Sequence, residues 1–175
     1  MGQSLFFGIF NFFNGTQVGS LLAIFFASWL PIVLIAFLFF HEWSTQKGTG
    51  LISSMKRSMA SLFPAIAAFT LSEFFKFIAP SPRPFLALDI TPLITVSDAM
   101  GSFPSTHATF FFALALTLCL GKHKFWPWYV AGAVFVAIGR IAVGVHFPLD
   151  IFAGILLGTT MGFAVFHVLK FFKKK

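Results

Sequence analysis

Two imidazoles, three cations and a carboxylate stand at spacings that suit chemistry on a phosphate ester. Lys76 is followed by six residues and then Arg83-Pro84; Pro104-Ser105-Thr106-His107 is contiguous; Arg140 is followed by five residues, then His146, three residues and Asp150. Lys and Arg complement phosphate oxygens. Two histidines can supply a nucleophile and an acid, and an aspartate can orient one of them. All these groups sit at the ends of apolar segments, where an ionisable residue is a functional one by default.

The elements that carry them are membrane elements. Of 175 residues 58% are hydrophobic and 10% charged, with a mean hydropathy of +0.91, more apolar surface than a soluble core of this size can hide. The chain reads as an all-α, polytopic membrane helix bundle, and no linker or composition shift divides residues 1–175 into separate domains. The lone Cys119 excludes an intramolecular disulfide. Residues Met1 to Phe10 lack the basic start of a cleavable signal peptide, so the mature protein is expected to begin here.

Crossing the hydrocarbon takes about 20 residues. Five apolar runs qualify, near 18–40, 53–78, 104–120, 125–143 and 148–170. A short amphipathic piece near 3–13 precedes them; Asn11, Asn14 and Gly15 argue against a full crossing, so it is expected to lie at the interface. Pro31 and Pro64 fall within the first two runs and are expected to kink them.

Placing residues 1–17 outside puts Lys47, Lys56, Arg57, Lys122, Lys124, Lys170, Lys173, Lys174 and Lys175 on the cytoplasmic side, nine of the 12 basic residues, as the positive-inside rule favours. The same threading gathers Lys76, Arg83, Ser105, His107, Arg140 and Asp150 on the outer face. It leaves the C-terminus cytoplasmic and sets Trp43, Trp126, Trp128 and Tyr129 at the inner boundary as an aromatic belt.

The pattern Lys76...Arg83-Pro84, Pro104-Ser105-x-His107 and Arg140...His146...Asp150 resembles the three-part signature of the type 2 phosphatidic acid phosphatase family, membrane relatives of vanadium haloperoxidases. The strings Arg83-Pro84-Phe85 and Ser102-Phe103-Pro104-Ser105, with the five-span layout, further resemble small bacterial undecaprenyl-diphosphate phosphatases. Two positions depart from the family wording: Gly139 stands where a Ser commonly precedes the Arg, and Thr106 where a Gly commonly follows the Ser.

The resemblance assigns roles. His146 becomes the nucleophile that forms a phosphohistidine, Asp150 its orienting carboxylate, and His107 the acid that protonates the leaving oxygen and then activates water. With Pro148 opening the fifth helix, Asp150 falls in its first turn. Lys76, Arg83 and Arg140 become a phosphate clamp, joined by the Ser105 hydroxyl and by first-turn N–H groups around Thr106 of a helix opened by Pro104. No run of carboxylates, Cys or His has metal-ligand spacing, so hydrolysis is expected to need neither metal nor cofactor.

Other readings are weaker. His41, His123 and His167 read as polar anchors, Asp89 and Asp98 as solvating an outer loop, and Glu73 as a possible ion-pair partner for Lys76 three residues on. Gly154, Gly158 and Gly162 recur every four residues and suit close helix packing, within the monomer or across a dimer. The charge of +7 follows from inner-loop topology, so no nucleic-acid partner is expected. The function expected is hydrolysis of a lipid (di)phosphate at the outer face of the cell membrane, with undecaprenyl diphosphate first. Phosphatidylglycerophosphate, phosphatidic acid and lipid A 1-phosphate are the alternatives. A non-catalytic phospholipid-binding or transport protein is the reading of another class; it would need no His107-His146-Asp150 set.

Overall fold

The computed structural model describes residues 2–45, 50–96 and 101–172. Lys47, Asp98, Lys173, Lys174 and Lys175, to which the sequence assigned sides of the membrane or a loop role, lie outside the described residues. The described residues form eight α-helices and one π-helical turn: α1 (Gly2–Asn14), α2 (Gln17–Ile24), the π turn (Phe25–Trp29), α3 (Leu30–Thr45), α4 (Gly50–Ile78), α5 (Pro84–Ala87), α6 (Thr106–Leu120), α7 (Trp126–Ala142) and α8 (Pro148–Phe172).

Three rods are long and apolar enough to cross a membrane: Gln17–Ser44, in which α2, the π turn and α3 run on continuously, Leu51–Ile78 and Pro148–Phe172. The other two expected spans are shorter. α6 has 15 residues and α7 has 17, about 22 and 26 Å of helix, below the roughly 30 Å of a hydrocarbon core. α6 is the central helix, packed against α4, α7 and α8 and buried along most of its length, so lipid does not set its length.

Helix α8 approaches α6 along the glycine face. A Cβ on Gly154 would stand 2.7 Å from Ser105 O and one on Gly162 would stand 3.0 Å from Ala113 O, while one on Gly158 would strike Thr109 O. The stripe therefore serves packing within the chain. Outward, Leu21, Ile32, Val33, Phe63, Phe77, Phe152, Leu156 and Phe163 are exposed and form the surface a bilayer would cover. The π turn ends just before Pro31, whose ring nitrogen has no proton to give, a common use of such turns.

At the C-terminal end of α6 a polar cluster ties three elements. Glu42 of α3 takes Arg57 Nε of α4 at 3.2 Å and faces His123 Nε2 at 3.4 Å, and His41 packs edge-on to His123 with ring centres 4.5 Å apart. Phe125 N–H donates to His123 Nδ1, which leaves the ring proton of the neutral imidazole on Nε2, toward Glu42. Tyr129 does not join the aromatic belt: it is 1% exposed, with its hydroxyl donating to Leu34 O at 3.2 Å. A phenol facing the core beside α3 finds its acceptor there, whereas Trp43 and Trp128 are exposed.

Candidate active site

All three motifs meet at the opposite end of α6. Antiparallel threading brings the C-terminal ends of α4 and α7 beside the N-terminal ends of α6 and α8, so Lys76, Arg140, His107 and Asp150 share one end of the bundle. Lys76, Arg83, Ser105, Thr106, Arg140, His146 and Asp150 are all buried, at 7% exposure or less, while His107 is half-buried. Arg140, Lys76 and Arg83 all lie within electrostatic range of His107, as does the His146 ring.

His146 sits on the tight connection from α7 to α8. Gly144 there has φ +82°, in the left-handed region that favours glycine, with the Phe10 ring of α1 3.0 Å from where a Cβ would be. Helix α1 supports this loop: Asn14 Nδ2 donates to Ala142 O at 3.0 Å, and Phe6 packs on Phe147 with ring centres 5.5 Å apart. Arg83, from the segment before α5, donates to Val145 O at 3.3 Å and is thereby fixed beside the same loop.

Asp150 is the third residue of α8. Its Oδ2 accepts from Phe147 N–H at 2.7 Å, half of a capping box, which fixes the carboxylate at the helix start. From there it stands 3.6 Å from His146 Nδ1, and Ser102 lies between them. Ser102 Oγ donates to Asp150 Oδ2 at 2.5 Å and lies 3.2 Å from His146 Nδ1. One assignment gives every donor an acceptor: Nδ1–H to Ser102, and Ser102 O–H to Asp150. Burial pushes the His146 imidazole down from its ordinary pKa; the Asp150 carboxylate opposes this, and Arg140 and Arg83 add to it.

The segment that delivers Ser102 and Ser105 is itself held. Ser102 N–H donates to Ser81 O at 2.8 Å and Phe103 N–H to Ser81 Oγ at 3.0 Å. Pro104 does not open the third helix. It follows a cis peptide bond, and α6 starts at Thr106 with Ser105 as its cap, because Ser105 N–H is turned to Asp150 O at 3.0 Å. The first N–H with a helical acceptor is that of Thr109, on Ser105 O, so the N–H groups of Thr106, His107 and Ala108 face the site at the positive end of the helix. Ser105 Oγ and Arg140 Nε are buried without a hydrogen-bond partner among the described residues.

The two departures from the family wording have structural reasons. A Cβ on Gly139 would lie 2.7 Å from Ala27 N and 2.7 Å from Phe26 Cβ, so a serine there would strike the π turn. Thr106 turns its hydroxyl to Glu73 Oε1 at 2.5 Å, with Ser72 Oγ behind it at 3.4 Å. Lys76 Nζ binds the same Glu73 oxygen at 2.9 Å. Thr106 thus offers the site its backbone N–H, with its side chain committed to Glu73.

Sequence reasoning missed Ser102 as a member of the constellation and left Glu73 as a mere ion-pair option. Ser102 had a signal, since it opens the Ser102-Phe103-Pro104-Ser105 string. Beside His107 an apolar groove of about 210 Å³ opens, walled by Pro31, Ile32 and Ile35 of α3, Phe69 of α4 and Phe110 and Phe111 of α6. The site therefore joins a dense cationic pocket to an apolar groove, an arrangement suited to a phosphate carrying a hydrocarbon group.

Known proteins resemble this chain in sequence and fold. The chain is 32% identical over 137 residues to an undecaprenyl-diphosphatase of Sulfolobus acidocaldarius, covering 77% of this chain and 60% of that one. It is 29% identical over 168 residues to a lipid A 4'-phosphatase of Porphyromonas gingivalis, covering 91% and 71%. The matches span 52–61% of the length of three of the curated relatives. The crystal structure of Aquifex aeolicus LpxE superposes with a TM-score of 0.65 at 25% identity, covering 93% of each chain. The family model of the PAP2 superfamily matches residues 57–174, a stretch that holds every charged side chain described at this site. With the three motifs in order and their side chains gathered at one end of a helical membrane bundle, this chain belongs to the PAP2 superfamily.

Proposed function

We propose that residues 1–175 act as one membrane lipid phosphatase domain, which hydrolyses a lipid (di)phosphate, undecaprenyl diphosphate first, at the outer face of the cell membrane. The observation that carries this reading is the meeting of Lys76, Arg83 and Arg140 around His107 at the α6 N-terminus, beside a His146 whose Nδ1 faces the Ser102–Asp150 pair. Nδ1 being so engaged, Nε2 is the nitrogen that attacks phosphorus in line. The phosphorus–oxygen bond to the lipid breaks, His107 protonates the departing oxygen, and phosphate stays on His146 as a phosphohistidine. His107 then takes a proton from water, whose oxygen displaces His146 and releases inorganic phosphate.

Charge spreads over the equatorial oxygens during both transfers, and preorganised cations and N–H groups hold it best where water is excluded. Lys76, Arg83 and Arg140 supply three positive charges, and Ser105 Oγ and Arg140 Nε are donors with capacity to spare. These side chains neutralise phosphate without a metal ion, which supports a metal-independent reaction. The apolar groove beside His107 suits a hydrocarbon tail lying in the membrane. The distribution of Lys and Arg supports an outward-facing site and a cytoplasmic C-terminus.

The test is phosphate release by detergent-purified protein from undecaprenyl diphosphate, phosphatidylglycerophosphate and phosphatidic acid, with excess EDTA and with His146→Ala as the blank. EDTA-insensitive turnover that favours the isoprenoid is expected. The likeness to a lipid A 4'-phosphatase over 91% of this chain favours lipid A phosphate as the second substrate to assay. Absence of turnover on every lipid by folded protein would overturn the enzyme reading in favour of a phospholipid-binding membrane protein.

A further inference from the structure

One acidic side chain of the cationic end takes no part in the mechanism above. Glu73 lies one helical turn before Lys76 on α4, and its Oε1 takes both Lys76 Nζ at 2.9 Å and the Thr106 hydroxyl at 2.5 Å. An i,i+3 pair on a lipid-facing helix end has no need of a third residue. Here the pair is turned inward: the Lys76 side chain is 6% exposed and that of Glu73 28%. The hydroxyl that clasps it comes from Thr106, whose backbone N–H is among the α6 donors that face the site. A phosphate held by those N–H groups therefore lies within about one residue of a carboxylate, and two anions at that range repel in a water-poor pocket.

We propose that Glu73, clasped to the start of α6 by Thr106, is a specificity-determining counter-anion that limits how tightly the site holds phosphate and so speeds release of the inorganic product. The inference rests on the lipid phosphatase reading and deepens it. When a lipid phosphate arrives, Lys76 exchanges the Glu73 oxygen for a phosphate oxygen. Once the lipid leaving group (a lipid monophosphate from a diphosphate, an alcohol from a monophosphate) has departed and water has cleared the phosphohistidine, a small dianion remains among three cations with no tail to hold it. Glu73 then reclaims Lys76, and its charge acts against the remaining phosphate. A lipid substrate resists the same repulsion because its tail is seated in the groove. Affinity is thus withheld from the product and granted to the substrate, a selectivity built from a repulsive element.

The probe is inorganic phosphate alone, measured as a competitive inhibition constant and as a shift in heat unfolding, for the wild type, Glu73→Gln and Thr106→Ala. Glu73→Gln keeps both hydrogen bonds and removes the charge. It is expected to bind phosphate about tenfold more tightly, with KM and kcat both lowered as release becomes limiting. Thr106→Ala, which frees the carboxylate from α6, is expected to move in the same direction by about threefold, and it carries the test should Glu73→Gln not fold. Unchanged or weaker phosphate binding in folded variants overturns the proposal, including the case where Tm falls and phosphate affinity does not move. If the wild type turns over no lipid, the lipid phosphatase reading fails, while phosphate-dependent unfolding still reports on Glu73.

Discussion

The two ends of helix α6 carry polar clusters built from similar residues and closed in different ways. At the C-terminal end Glu42 is shared between Arg57 and His123, and Phe125 N–H caps the far nitrogen of His123. There the Glu42 carboxylate is matched by the Arg57 guanidinium, with the neutral His123 ring beside it. At the N-terminal end three cations face Glu73 and Asp150, the first helical turn offers its own N–H groups, and Ser105 Oγ and Arg140 Nε have no hydrogen-bond partner among the described residues. Donors exceed acceptors there. A buried cluster that balances itself holds helices together; one left with surplus positive charge and donors is built for an anion that comes and goes.

His146→Ala should lower phosphate release by at least about 10³-fold while heat unfolding stays within a few degrees of wild type, since the Ser102–Asp150 bond survives it. Residual turnover at a tenth of the wild-type rate would remove the nucleophile from His146. Arg140→Lys keeps the charge and loses the planar fork. A fall of about 10²–10³-fold in kcat is expected, read by steady-state kinetics on protein with unaltered helical circular dichroism.

Ser102→Ala tests the link between His146 and Asp150. If the hydroxyl carries it, kcat drops roughly 10- to 100-fold with KM little changed. Should kcat hold, the carboxylate acts on the imidazole directly across the 3.6 Å gap. A smaller and distinct effect lies in pH. Burial of His146 lowers its pKa, so the neutral, attacking form persists as pH falls and the acid limb of kcat/KM should lie below the ordinary histidine value of about 6.5. An acid limb above that value would place a raised imidazole at the site.

The C-terminal end should respond in the opposite manner. Glu42→Gln removes the carboxylate charge that Arg57 and the His123 ring share and should cost about 1–3 kcal/mol of stability, seen as a lower Tm. Turnover at low temperature should stay within about twofold. A large loss of activity with unchanged Tm would join the two ends functionally and break the contrast.

The order Lys76, Arg83, Ser105, His107, Arg140, His146, Asp150 and the five apolar runs were legible in the sequence because hydropathy and the positive-inside rule act on local composition. Antiparallel threading of those runs was enough to bring the three motifs to one end. Pro148 at the head of α8 was legible too, since a missing N–H costs nothing there. Pro104 was misplaced by the same rule, because the backbone of Ser105 is held by Asp150 O, a bond from a helix distant in the chain.

Composition and residue order alone determined that this is a helical membrane protein with the three PAP2-type motifs in order, since local properties suffice for both. Only the tertiary structure decided the rest. It put Ser102 between His146 and Asp150, turned Thr106 onto Glu73, and left no room for a side chain on Gly139 beside the π turn. It also joined Glu42 to Arg57 and His123 and drew Tyr129 into the core. Each of these depends on which helix faces which at a few ångströms, and that is fixed by how side chains pack around α6 rather than by any pattern along the chain.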